Sequence, residues 1–369
     1  MMRHDLSGAP APGQPGALSR LRVLVVDDSA WFRNMMAELL RQLGVGAVVS
    51  ARDGAEAVAL LRVTAAHRDG TPEPRDAPWI DLVLSDDIMS PVDGAMLLRW
   101  VRQGADCPDR FLPFVMVSAA AEPERIRAAR DIGVTEFLAK PVTVGAVADK
   151  LAAIIEQPRP FVCSKSYFGP DRRRHRVARP GRERRRAGPV DASLLGSAMP
   201  SAGRPVSAFL FRTPNRLRTK IDGLGDGRFA LPTELLLAAS SRLERMEEDY
   251  AVWVRGTTDA LAGAHERAVV SDPRARLAQV GEINRMAHDL RGQGSTFGYP
   301  LVTVFARSLF DCTRTVVEVG DRLLDFVKAH IDGIGVVVRD RIKGPGGPIG
   351  DQLIVSLEQA RAKLAQGPM

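Results

Sequence analysis

Cysteine is scarce in this chain. Only Cys107, Cys163 and Cys312 occur among 369 residues, far apart and without a C-x-x-C spacing. An odd, scattered set of thiols gives no basis for a disulfide framework or a zinc cluster and points to a reducing, intracellular setting. Long hydrophobic runs are also missing, since no stretch approaches the roughly 18 apolar residues of a membrane-crossing helix. The opening "MMRHDLSGAPAPGQPGALSR" lacks the apolar centre of a signal peptide. Residues 1–20 are expected to be a disordered tail on a soluble, cytoplasmic protein with no membrane partner. No Gly-rich phosphate loop is present, which argues against an ATP-binding kinase domain, and no internal repeat is found.

What is present is enough apolar residue, 45%, to build two cores along a chain longer than one domain usually needs. The formal net charge is +7, yet "DRRRHRVARPGRERRR" (171–186) carries nine Arg against Asp171 and Glu183, which accounts for all of it. The basicity is therefore local, in a stretch punctuated by Pro and Gly without apolar periodicity. Residues 157–228 are expected to be a solvated linker; a dock for nucleic acid or an acidic surface is the less favoured use of the same arginines. Two basic-aromatic pieces within it, "SKSYFGPDRRR" and "FRTPNRLRTK", suggest no chemistry.

Residues 21–156 alternate apolar strands with amphipathic helices. "LRVLVV", "GAVVSA", "IDLVLSDD", "FVMVSA" and "EFLAK" are each followed by a helical pattern. Five such cycles predict a doubly wound, five-stranded parallel α/β sheet, with ligands bound outside the carboxyl ends of its strands. Strand one ends in Asp27 and Asp28, strand three in Asp86 and Asp87, strand four in Ser118 and strand five in Lys140-Pro141. Carboxylates converging at that spacing repel one another, so the cluster implies a cation, and all-oxygen ligands suit Mg²⁺.

"VLVVDDS", "DLVLSDDIMSPVDG", "VMVSA" and "FLAKP" together resemble the receiver domain of two-component response regulators over residues 21–156. In that family the acceptor lies seven residues before the Asp-Gly pair, here Asp93-Gly94, which makes Asp86 and not Asp87 the phosphoacceptor. The same resemblance implies Asp28 as a direct Mg²⁺ ligand and Asp27 as its indirect partner. It adds Asp86 and the Ile88 backbone carbonyl to the metal set, and gives Ser118 and Lys140 the phosphoryl oxygens. Phe137 falls where receivers carry a switch aromatic, though packing at a strand edge explains it equally well. Lys140-Pro141 is a candidate cis peptide. Pro91 lies one place later than the family pattern, and "TAAHRDGTPEPRDAP" lengthens the connection before strand three.

From residue 229 to residue 369 every periodic stretch is helical, with starts marked by Pro232, Pro273 and Pro300 and stops by Gly298 and Gly344. An all-α bundle is expected. On the helix carrying "HDLRGQGSTFG", Ile283, Met286, Ala287, Leu290 and Phe297 share one face. His288 points about 150° away from that face and is expected to be exposed. Asn284, Arg285, Arg291, Gly292 and Ser295 surround it; Gly292 clears space beside the ring, and Arg285 and Arg291 could hold phosphate oxygens. The pattern His288, Leu290, Arg291, Gly292 and Gly298 resembles the histidine phosphotransfer (HPt) domain, over about 272–366. The resemblance implies that His288 carries a phosphoryl group.

The two resemblances imply a phosphorelay protein that accepts and passes phosphoryl groups without generating them from ATP. Its expected partners are a sensor histidine kinase or other phosphohistidine donor and other receiver domains. The alternative is a response regulator acting as an adaptor or binding module through its Arg-rich linker, with a helical bundle that is not phosphorylated.

Overall fold

The computed structural model describes residues 16–65, 79–118, 123–164, 166–172, 208–221 and 228–365. Within them the first apolar runs form a parallel sheet from β1 (Arg22–Val26), β2 (Ala47–Ala51), β3 (Leu82–Asp86), β4 (Phe114–Ser118) and β5 (Glu136–Ala139). Its strand order is β2-β1-β3-β4-β5. Every residue of β3 and β4 is buried, as expected for central strands covered on both faces. The covering helices are α1 (Ala30–Gln42), α2 (Gly54–Ala65), α3 (Gly94–Gln103), α4 (Pro123–Ile132) and α5 (Val144–Glu156). Their apolar stripes bury residues such as Leu97, Leu98 and Val101 against Val83, Phe114 and Met116 of the sheet.

Beyond α5 the structure departs from the expected linker. β6 (Phe161–Ser164), β7 (Phe168–Pro170) and β8 (Ala208–Phe211) form a separate antiparallel sheet in the order β7-β6-β8. A short helix, α6 (Arg216–Thr219), follows. The sheet is held by aromatic packing: Phe161, Phe168 and Phe211 bury against Phe111, with ring centroids 4.9, 5.2 and 6.5 Å from that ring. Ion pairs bind the same segment to the α/β core, Arg218 to Glu156 at 3.1 Å and Lys220 to Asp81 at 2.7 Å. The 157–228 assignment is thus corrected in part, because residues on both sides of the Arg-rich run are built into the first domain. The run itself, from residue 173 onward, and the tail up to residue 15 lie outside the described residues.

The chain divides into two compact units, one of residues 1–139 and 144–240 and the other of residues 140–143 and 241–369. The second is helical, built from α7 (Thr233–Val270), α8 (Pro273–Arg291), α9 (Pro300–Thr313), α10 (Asp321–Arg339) and α11 (Gly347–Ala365). Asp272 caps α8 by accepting from the Ala275 amide at 3.1 Å, and Pro273 fills the first helical position, where no amide is needed. Tyr250 of α7 stacks on Phe297 at 4.7 Å, and His265 of α7 donates to the Leu324 carbonyl of α10 at 3.0 Å. No described helix is long and apolar enough to cross a membrane.

Candidate functional site at the carboxyl ends of the strands

Parallel pairing brings the acidic residues together. Val26 is in register with Ser85, so Asp27 stands level with Asp86 as the two strands end. Ser118 pairs with Ala139, the residue before Lys140. Asp27 and Asp86 are almost fully buried, at 1% and 6% exposure. Carboxylate oxygens of Asp27, Asp28 and Asp86 lie within 4.8 Å of one another. Asp27 is fixed there, accepting from the Ser29 amide at 2.9 Å, while Ser29 in turn caps α1.

The turn after β3 is shaped by the Asp-Gly pair. Asp93 caps α3 by accepting from the Met96 amide at 2.7 Å. A side chain on Gly94 would collide with the Asp86 backbone carbonyl, so glycine lets α3 begin directly against the strand end. Ile88, in the same turn, is half-buried. Both Ser90-Pro91 and Lys140-Pro141 are cis. Phe137 is half-buried and packs against the core of the α/β unit.

Asp87 had no role in the sequence pattern, yet its side chain has defined partners. It accepts from the Ser118 hydroxyl at 3.4 Å and from Arg125 of α4 at 3.2 Å. Burial pushes its carboxyl pKa up, an effect that Arg125 opposes. Arg125 escaped notice because a single arginine in an exposed-looking helical turn carries no signal of its partner.

In the helical unit the expectations for His288 hold only in part. Ile283, Ala287, Leu290 and Phe297 form the buried face as expected, with Met286 half-buried. His288 is not freely exposed: its side chain is 11% accessible, and the Phe310 ring of α9 lies 5.3 Å away. Arg285 is exposed beside Glu282 at 3.9 Å, and the Arg291 guanidinium lies over Phe310 at 4.2 Å. Asn284 ties α8 to α9 by donating to the Phe310 carbonyl at 2.9 Å and the Thr313 hydroxyl at 2.8 Å. Gly292 is not inside the helix but ends it: α8 stops at Arg291, and a 3-10 turn over Gly294–Phe297 follows. Gly298 closes that turn in the left-handed region at φ 79°.

Residues 23–152 match the family model described as the response regulator receiver domain. Chemotaxis protein CheY-3 of Vibrio cholerae is 31% identical over 137 residues, covering 37% of this chain and 93% of that protein. Chemotaxis protein CheY of Pseudomonas aeruginosa is 31% identical, covering 37% of this chain and 98% of its own. Among solved structures, CheY4 of Vibrio cholerae is 27% identical, covers 36% of this chain and 95% of that one, and has a TM-score of 0.28.

Proposed function

We propose a phosphoryl-transfer role for this chain, which belongs to the response regulator receiver family, with Asp86 as the acceptor. The observation that carries the reading is the meeting of Asp27, Asp28 and a buried Asp86 within 4.8 Å at adjacent strand ends. Receiver domains bind Mg²⁺ at such an acidic pocket, and three hard oxygen donors with the Ile88 carbonyl nearby in sequence fit that ion. Asp27, Asp28, Asp86 and Ile88 would hold it, and when bound it offsets negative charge as phosphate approaches a carboxylate.

A carboxylate oxygen of Asp86 attacks phosphorus of a phosphohistidine; the new O–P bond forms as the N–P bond breaks, and the departing imidazole takes a proton from solvent. Lys140 and Ser118 hold the transferred oxygens, the ammonium by charge and the hydroxyl as donor. Phe137 reports the change as the switch aromatic. The partner is a sensor histidine kinase or another phosphohistidine donor. His288, with Arg285 and Arg291, exchanges the group with a receiver, and the Arg-rich run is a solvated tether, its use on nucleic acid the weaker reading.

A second reading is favoured by the small accessibility of His288 and the seat of Arg291 on Phe310. In it the bundle docks a partner and is never phosphorylated. Labelling with phosphoramidate and Mg²⁺ tests both. Asp86→Asn is expected to abolish acid-stable label and Asp87→Asn to keep it, with wild type losing label in excess chelator. His288→Gln is expected to remove base-stable label with unchanged helical circular dichroism. Normal labelling of Asp86→Asn contradicts the acceptor assignment, and absence of base-stable label from wild type with any phosphorylated receiver selects the docking reading.

A further inference from the structure

Asp87 is the acid that the proposed transfer does not use. The strand register explains where its side chain goes: Asp86 pairs with Val117, so the next residue on each strand, Asp87 and Ser118, stand side by side. Asp87 is anchored by its backbone on both sides. Its amide donates to the Val117 carbonyl at 3.0 Å and its carbonyl accepts from the Gly94 amide at 3.2 Å. The carboxylate therefore stays beside β4, where one oxygen, Oδ2, accepts from both Ser118 and Arg125. Ser118 has a single hydroxyl proton, and this proton cannot serve Asp87 and a phosphoryl oxygen on Asp86 at once.

We propose that Asp87 is a positioning residue that holds the Ser118 hydroxyl, and through Arg125 the first turn of α4, in the unphosphorylated arrangement. Filling the phosphoryl position on Asp86 then requires the Asp87–Ser118 hydrogen bond to break. The group on Asp86 and the Asp87 carboxylate compete for one donor, and the state that wins is the one whose acceptor binds it better. This inference rests on Asp86 being the acceptor.

Charge alone could also make Asp87 oppose an anion on Asp86, so the test separates charge from hydrogen bonding. Asp87→Asn and Asp87→Ala remove the same charge, but only Asn keeps an oxygen that accepts from Ser118. The full-length protein is titrated with beryllofluoride, an unreactive phosphoryl mimic, in Mg²⁺, with binding read by fluorine NMR. Asp87→Ala is expected to bind about fivefold more tightly than Asp87→Asn, equivalent to about 1 kcal/mol for one hydrogen bond. In a Ser118→Ala background the two should bind alike. Equal affinities with Ser118 present, or a gap that persists without it, overturn the proposal. Undiminished binding by Asp86→Asn would instead refute the acceptor assignment itself, whereas lost binding there with equal Asp87 variants refutes only the role of Asp87.

Discussion

A buried arginine is costly unless its donors are used, and Arg102, 0% exposed, uses them on backbone carbonyls. Its guanidinium donates to Gly133 at 2.8 Å, to Arg110 and Leu112 at 2.9 Å each, and to the Thr135 hydroxyl at 3.3 Å. Burial lowers its pKa to about 10, which still leaves it charged at neutral pH. Arg102→Met would orphan three carbonyls, and a loss of about 3 kcal/mol is expected in urea unfolding; a change below about 1 kcal/mol would mean that water replaces the guanidinium. His330 is the counterpart in the bundle. Its Nδ1 donates to the Phe326 carbonyl at 2.7 Å and Nε2 accepts from Ser308 at 3.0 Å, and burial lowers its pKa from 6.5 to about 4. Because the folded value lies below the unfolded one, the unfolded chain binds more protons between pH 4 and 6.5. Stability should be complete above that window and fall by roughly 3 kcal/mol through it. Hydrogen exchange of α10 peptides, corrected for intrinsic rates, should show that loss between pH 7 and pH 4.5; a pH-independent protection would contradict it. At this scale the sequence spoke clearly for Asp27, Asp28 and Asp86, since successive apolar strands ending in acids admit few other uses. It was silent on Arg102, Asp87 and Arg125, whose meaning lies entirely in partners supplied by other elements.

The elements divide in the same way. β1 to β5 were legible as apolar runs of five residues or so, each followed by a helical stripe, α7 to α9 by the prolines at their starts, and the later helices by their apolar period. β6, β7 and β8 were not legible. They have four, three and four residues, sit among Pro, Gly and Arg, and β6 finds β8 across a long sequence separation. Strands so short persist only because Phe111 of the α/β domain offers them an aromatic seat, so their stability is tertiary. The first compact unit consequently runs on past residue 156 and through these strands. A fragment ending at 157 would expose Phe111 and strip Phe161 from Arg102, which stacks on it at 5.3 Å. Such a fragment should melt several degrees below one ending at 221; equal melting temperatures would show that the second sheet adds nothing to the domain. The helical wheel likewise gave the buried face of α8 but not the small accessibility of His288, because a wheel knows only one helix and Phe310 lies on another.

For the molecule as a whole, a receiver joined to a helical unit in one chain makes the order of phosphoryl flow a matter of which acceptor is filled first. In the proposed role Asp86 is the acceptor, since its neighbours Asp27, Asp28 and Ser118 lie at the ends of adjoining strands of the same sheet, and His288 would exchange the group with a phosphorylated receiver. The measurement closest to this claim is reductive trapping. The full-length protein is phosphorylated with phosphoramidate and Mg²⁺, quenched with borohydride, which converts an aspartyl phosphate to homoserine, and sequenced by tandem mass spectrometry. The account predicts homoserine at the position of Asp86 and none at Asp87; homoserine at Asp87, or at neither residue in protein that has taken up phosphate, would contradict it.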